Sequence, residues 1–287
     1  MMAVLSISRP ILFHLKTLYL FTKSDFKTIL FPVVCTAIAL SRQPSPLGIL
    51  HTSIWTWFFL LQVCVSNQSS EKSMIEDKEN KSWRPLPSSR LSLKQARILR
   101  WCIVVIGQLF SVPYQNAGAA LFITVTDIVY NDLGYSAWWF SRNLLNAAGY
   151  MGFQYGAVIA ASSDSSKFID KKTIESIIIF GLLITSTVQV QDFYGEKGDR
   201  ASGRETVVIL YPKLSRALTP FLMTSWALVL PRIWDTAMPV SLSFGLFGIY
   251  IAARILAFRD QISDEMSYFL YNFWVLFAFV LPGFGSS

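Results

Sequence analysis

The sequence predicts an all-α fold, a multi-span transmembrane bundle of about nine helices. Three observations predict it. Hydrophobic residues make up 53% of the chain and charged residues only 15%, where a soluble domain carries about 25% charged residues. Apolar runs close to the roughly 20 residues that cross a bilayer recur along the whole length. Basic residues gather in alternate connections between those runs, as topology selection requires. Only helices and closed barrels satisfy their backbone in lipid, and runs of this length fit helices. The net charge of +7 does not indicate a nucleic-acid partner, because the bases lie in loops between apolar spans and not on one soluble face.

Residues up to Thr22 mix apolar and basic side chains (RPILFHLKTLYLFTK) and read as an interfacial amphipathic helix leading into the membrane. Arg9, His14 and Lys16 interrupt the first apolar run, so no cleavable signal peptide is expected. Residues 1–22 form this N-terminal segment and residues 23–287 the transmembrane domain. Nine spans centre on 26–40, 47–66, 97–112, 117–130, 140–160, 174–190, 214–230, 238–256 and 267–284. Only VPYQN separates the third from the fourth, with Pro113 marking the turn. With the N-terminus in the cytoplasm, twenty of the 25 bases fall on the cytoplasmic side. Arg42, Lys167, Lys171, Lys172 and Arg232 fall on the other. The same topology puts two acidic stretches, 67–90 after the second span and 190–206 after the sixth, on the cytoplasmic face. Their four-span separation hints at a duplicated four-helix unit, although the halves do not otherwise resemble each other.

The three cysteines, Cys35, Cys64 and Cys102, lie in or at the ends of apolar spans without a CxxC pattern and read as small buried hydrophobes. His14 and His51 have no ligand-like spacing.

The chemistry concentrates in the two stretches. If the first, NQSSEKSMIEDKENKSWRPLPSSR, continues the second span as a helix, Asn67 and Glu71 share a face one turn apart. Glu76 and Asp77 follow about a turn and a half later. Such oxygen donors suit Mg²⁺, which shares its shell with water and substrate phosphate. Lys81 and Arg84 can then hold phosphate oxygens, Lys as a point charge and Arg as a fork. Pro85 and Pro87 end the helix. In the second stretch, VQDFYGEKGDRASGRET, Asp192, Glu196 and Asp199 are spaced to share a helical face, with Arg200 and Arg204 beside them. Gly198 and Gly203 loosen the helix at its end. A single such loop is equally explained by solvation between spans. Two on one membrane face, each pairing acids with Lys and Arg, favour a metal–diphosphate site built from both.

Between them, NDLGYSAWWFSRNLLNAAGY places Asp132, Arg142, Asn143 and Asn146 near the cytoplasmic end of the fifth span. Asn143 and Asn146 can face one cavity, or serve as helix–helix hydrogen bonds. Tyr150, with Phe153 and Tyr155, can line an apolar pocket whose ring faces attract a carbocation; ordinary packing explains them as well. Asp127 and Asp235 are isolated acids at span ends.

At these residues the sequence resembles the UbiA superfamily of intramembrane prenyltransferases. Asn67, Asp77, Asn80, Lys81, Arg84, Pro85 and Pro87 match the first signature of that superfamily, and Asp192, Gly198, Asp199, Arg200, Gly203 and Thr206 the second. The pattern departs from aromatic prenyltransferases at Gln68, where Asp is usual. It departs also at Glu71, in the longer interval before Asp77, and at Gly195, where a middle Asp is expected and neighbouring Glu196 can substitute. The Asn-Gln opening, the Gln-Asp-Phe run and the middle stretch are most similar to the fungal branch, which holds terpene cyclases and meroterpenoid prenyltransferases. The resemblance implies a membrane enzyme in which Glu71, Glu76, Asp77, Asp192, Glu196 and Asp199 bind Mg²⁺. Asn67, Asp77, Asp192 and Asp199 are then catalytic, and Lys81, Arg84, Arg200 and Arg204 hold the diphosphate. Asn143, Asn146 and Tyr150 line the cavity. It implies a farnesyl or geranylgeranyl diphosphate substrate, a bilayer as the surroundings, no nucleic acid, and an endoplasmic reticulum or other internal membrane with the site facing the cytoplasm. Cyclisation of the chain is the leading expectation, transfer to an aromatic acceptor the alternative, and a non-enzymatic transporter or lipid-binding protein a minor one. Oligomeric state is left open.

Overall fold

A computed structural model describes residues 2–41, 44–162 and 169–285, so Arg42 and Lys167, two bases assigned to the non-cytoplasmic side, lie outside the described residues. The described chain is a helical bundle. Helix α1 (Met2–Thr22) precedes α2 (Phe31–Leu40), which a π turn over Phe26–Leu30 extends at its start. Then come α3 (Pro46–Gln68), α4 (Glu71–Asn80), α5 (Leu93–Ser111), α6 (Ala117–Asn131), α7 (Trp139–Ala161) and α8 (Lys171–Thr187). Helices α9 (Val190–Ser202), α10 (Val207–Leu210), α11 (Pro212–Ile233), α12 (Met238–Ala257) and α13 (Gln261–Val280) complete the order. The nine expected spans coincide with α2, α3, α5–α8 and α11–α13, and the protein is an integral membrane protein with this fold.

Short polar signals set the helix starts. Ser45 caps α3 ahead of Pro46, Ser92 and Gln95 form a capping box on α5, and Asp170 and Asp260 cap α8 and α13. Each satisfies backbone N–H groups that the first turn leaves open. Three helices are long and apolar enough alone to cross a membrane: α3, α12 and α13 with its extension to Phe284. Helices α8 and α9 meet that test only as a pair bent by 49°. Of the remaining helices, α2, α4, α6 and α10 are too short by themselves, and the longer ones fall short because mean hydropathy counts side chains whichever way they face. Helix α7 carries Arg142, Asn143 and Gln154, all buried inside the protein.

Two apolar cores flank the middle of the bundle. One contains Trp55, Phe59, Ile123 and Phe153; the other contains Phe180, Met223, Phe244, Trp274 and Phe279. Helix α7 contributes to both, with Phe153 in the first and Ala147 in the second. Its crossing with α3 is close because Gly156 offers no side chain: a Cβ there would lie 2.1 Å from the Trp55 ring. The Asn116 amide donates to the Gly156 carbonyl at 2.7 Å and closes that contact.

Two expected continuities are broken, and both breaks shape the site. The second span does not run on into the acidic stretch. Helix α3 ends at Gln68, Ser69 and Ser70 turn the chain, and the Ser70 side chain caps α4 by accepting from Ser73 N–H. The sixth span ends at Thr187, and α9 sets off at an angle from Val190. Helices α4 and α9 therefore lie together across one end of the bundle.

Candidate active site

Where α4 and α9 cross, Gly198 is required. A Cβ at that position would lie 2.2 Å from Asn80 Nδ2, and Asn80 Nδ2 itself donates to the Gly195 carbonyl at 3.4 Å. Lys197 reaches Glu79 at 3.0 Å across the same crossing. The two charged stretches thus face each other at the mouth of one cavity of about 190 Å³.

The wall of this cavity is polar and mostly ion-paired. Arg84 Nη1 donates to Asp77 Oδ1 at 2.8 Å and Nη2 to Ser24 Oγ at 3.2 Å, with Asp25 Oδ2 3.7 Å away. Arg142 Nη1 donates to the Tyr130 hydroxyl at 2.7 Å, and Nη2 meets Asp192 Oδ1 at 3.1 Å. Arg204 is shared between Glu76 and Asp199, the latter at 3.0 Å. Lys81 completes a set of four cations around the cavity. Burial and the Arg84 charge pull the Lys81 ammonium below its ordinary range. Burial pushes the Asp77 carboxyl up despite Arg84. It pushes Asp192 up to about 6 against the pull of Arg142. Burial also opposes the Asp25 charge, but Lys81 and Arg84 outweigh it and hold that carboxyl low.

The structure brings Asn67, Glu76, Asp77, Lys81, Arg84, Arg204, Asn146 and Tyr150 to the cavity wall. Asp192 and Asp199 stand behind it, each bound to a cavity arginine. Four expected site residues are elsewhere. Glu71 is exposed in the first turn of α4, because the break at Ser69–Ser70 separates it from the face of Asn67. Glu196 pairs with Arg200 on the outer surface at 2.7 Å, so neither holds the position assigned to it, and Glu196 does not replace the carboxylate absent at Gly195. Helix geometry explains this: Asp192 and Asp199, seven residues apart, nearly superpose in projection, while Glu196 falls at the edge of their face. Asn143 donates to Gln189 Oε1 at 3.3 Å and joins α7 to the end of α8, away from the cavity.

Sequence reasoning missed Asp25, Tyr130, Tyr268, Tyr271 and Asn272 on the wall. The only advance signal for Asp25 was an acid among the bases that precede the first span. Gln68, noted as a departure, has a structural role: its Nε2 donates to the Phe21 carbonyl of α1 at 3.0 Å. Arg90 holds the same helix, donating to Thr17 Oγ1 and the Phe13 carbonyl, both at 3.0 Å.

Among the described residues no three His, Cys, Asp or Glu side chains converge as a ready metal cage. The donor chemistry nonetheless fits Mg²⁺. Glu76 and Asp77 supply hard carboxylate oxygens at the wall, and Asp77 Oδ2 is buried with no hydrogen-bond partner. An ion that usually completes its shell with waters and substrate phosphates needs only one or two such carboxylates. Asn67 is placed differently: its Oδ1 accepts from Asn131 Nδ2 at 2.7 Å, which leaves its amide N–H₂ for the cavity.

The cavity does not end at these charges. An adjoining chamber of about 90 Å³, called the inner chamber because it lies on the side away from the charged stretches' cations, shares Asn67, Tyr130, Asn146 and Tyr150 with it and is otherwise walled largely by apolar side chains, among them Ile123, Leu145 and Phe153.

The sequence profile of the UbiA prenyltransferase family matches residues 29–276. The chain is 28% identical over 282 residues to fumagillin beta-trans-bergamotene synthase from Aspergillus fumigatus, covering 98% of this chain and 96% of that protein. It is 27% identical to somaliensene A/B synthase from Streptomyces somaliensis, covering 91% and 89%. Its fold is similar to that of a UbiA homolog from Archaeoglobus fulgidus solved bound to GPP and Mg²⁺. That match has a TM-score of 0.65 and 13% identity, and covers 93% of this chain and 99% of the other.

Proposed function

The chain belongs to the UbiA prenyltransferase family, and we propose that it is a Mg²⁺-dependent terpene cyclase that ionises farnesyl or geranylgeranyl diphosphate and cyclises the chain. The carrying observation is the joined pair of chambers. Four cations, Lys81, Arg84, Arg142 and Arg204, surround the outer one, and the inner one is walled largely by aromatic and apolar side chains. The charge of the first suits a diphosphate, and the apolar wall of the second suits the part of an isoprenoid tail next to it. The full-length likeness to two terpene synthases supports cyclisation over transfer.

Glu76 and Asp77 are assigned to hold Mg²⁺, which when bound supplies Lewis-acid charge to the diphosphate. The protein's own groups do the rest. Lys81 and the three arginines neutralise the departing pyrophosphate, and Asp77, Asp192 and Asp199 keep those arginines aimed at it. Asn67 donates its amide to a phosphate oxygen. The prenyl chain lies among Tyr150, Phe153 and Ile123, where water that would quench a cation is excluded and ring faces stabilise positive charge. The N-terminal segment lies at the membrane interface, and the charge bias among the loops supports a cytoplasm-facing site in an internal membrane.

The test is to incubate membranes containing the protein with each diphosphate and Mg²⁺, without acceptor. A cyclic hydrocarbon product is expected. Turnover only after an aromatic acceptor is added would replace this reading with prenyl transfer.

A further inference from the structure

We infer that Asp127 is the base that ends the reaction, taking a proton from the hydrocarbon cation in the inner chamber; the inference rests on the cyclase reading above. Asp127 lies in the last part of α6, is 4% exposed, and is, among the described residues, the sole carboxylate in the wall of the inner chamber. It belongs to neither charged stretch, and Asn131 Nδ2 links it to Asn67 of the first.

The surrounding charges do not balance. Arg100 from α5 faces two carboxylates. It donates from Nη1 to Asp132 Oδ1 at 2.8 Å and from Nη2 to Asp132 Oδ2, while Asp127 Oδ2 lies farther from Nη2, at 3.5 Å. Asp132 thus takes both arms of the fork, and one negative charge is left with Asp127. That charge is held by an amide: Asn131 Nδ2 donates to Asp127 Oδ1 at 2.8 Å. A purely structural ion pair needs one acid for one guanidinium, and a second carboxylate facing apolar space has to be accounted for otherwise.

A carboxylate in a low-dielectric wall draws positive charge towards it. The other polar groups lining the chamber are weak bases, namely the amides of Asn67 and Asn146 and the hydroxyls of Thr126, Tyr130 and Tyr150. Pyrophosphate is retained by the cations of the outer chamber. In the terminating step, a C–H bond next to the cationic carbon breaks. Its electron pair becomes the new C=C bond and the proton passes to an Asp127 oxygen. No oxidant or reductant takes part, and the proton returns to water through the outer chamber when product leaves.

Asp127→Asn preserves size and the acceptor for Asn131 while removing the base. Wild type, Asp127→Asn and Asp127→Glu are compared in membranes with farnesyl and geranylgeranyl diphosphates, and products are counted per pyrophosphate released, a ratio that does not depend on the folded fraction. Loss of a general base typically costs at least about 10²-fold in the step it serves. The wild-type hydrocarbon per pyrophosphate is therefore expected to fall by about that factor in Asp127→Asn, with alcohols or earlier olefins replacing it. Asp127→Glu is expected to recover part of it. An unchanged product spectrum in Asp127→Asn, whether turnover is normal or uniformly lowered, overturns the assignment and leaves Asp127 a structural residue. Failure of the wild type itself to release hydrocarbon without acceptor overturns the cyclase reading instead, and this inference with it.

Discussion

Helices α4 and α9 carry similar charge patterns and do different work. The α4 stretch puts Asp77, Lys81 and Arg84 on the cavity wall itself. The buried acids of α9, Asp192 and Asp199, stand one layer back and act through Arg142 and Arg204. In the proposed function the first contacts the diphosphate and the second fixes the cations that contact it. Two stretches that read alike in one dimension are separated by the depth at which their carboxylates come to rest. Depth follows from what lies beside each helix: the acids of α9 have Arg142 of α7 and Arg204, just past the end of α9, between them and the cavity, whereas Asp77 is itself on the wall.

The comparison breaks first at Asp77. Asp77→Asn removes a wall carboxylate and leaves Arg84 with only Asp25 and Ser24 as partners, and turnover measured as pyrophosphate release should fall by about 10³-fold. Asp192→Asn should cost less, about 10- to 100-fold, as changes to supporting partners do, and Arg142→Lys should give a similar loss because both variants disturb one anchor. If Asp192→Asn proves as damaging as Asp77→Asn, the layered account is wrong. Asp192 also sets a pH limit. Burial raises its carboxyl to about 6, so it is ionised above that pH and progressively protonated below it. Turnover of the wild type should decline as pH falls through about 6, and that limb should weaken in Asp192→Asn.

The crossing of the two helices gives a smaller, structural test. Gly198→Ala forces a methyl group against Asn80, an overpacking that costs about 1–3 kcal/mol. A lower melting temperature in detergent, partly restored by Asn80→Ala in the same chain, is expected. The smallest effects belong to the acids that the fold turns outward. Glu71→Ala and Glu196→Ala should each stay within about 0.5 kcal/mol of wild type in stability, with pyrophosphate release close to normal.

How much could be read in advance divides along physical lines. Span number, the shared face of the two loops and the acid–base character of the site depend on runs of residue types, and a sequence displays these directly. The position of Glu71 depended on whether a helix passes through Ser69 and Ser70; hydroxyl side chains that cap one helix and end another were a signal there, outweighed by the i to i+4 spacing from Asn67. Asp25, Tyr268 and Tyr271 reach the cavity only because the first span packs beside α3 and α7 and the last beside α2 and α9, and no local pattern announces such a meeting. The Arg100–Asp127–Asp132 arrangement spans two helices and the turn after α6, and its charge imbalance exists only once they are assembled.

The ties that hold α1 have a consequence for biosynthesis. Its partners, Gln68 and Arg90, are translated long after Phe13, Thr17 and Phe21 have left the ribosome. At about 5–20 residues per second the first helix waits on the order of ten seconds for Arg90 to be made. During that interval its exposed apolar side chains, Ile11, Leu12 and Leu15, have only the lipid surface or a chaperone to rest against. Helix α1 is therefore fastened only once α3 and α4 have been made, by a loop that lies two helices downstream of the first span.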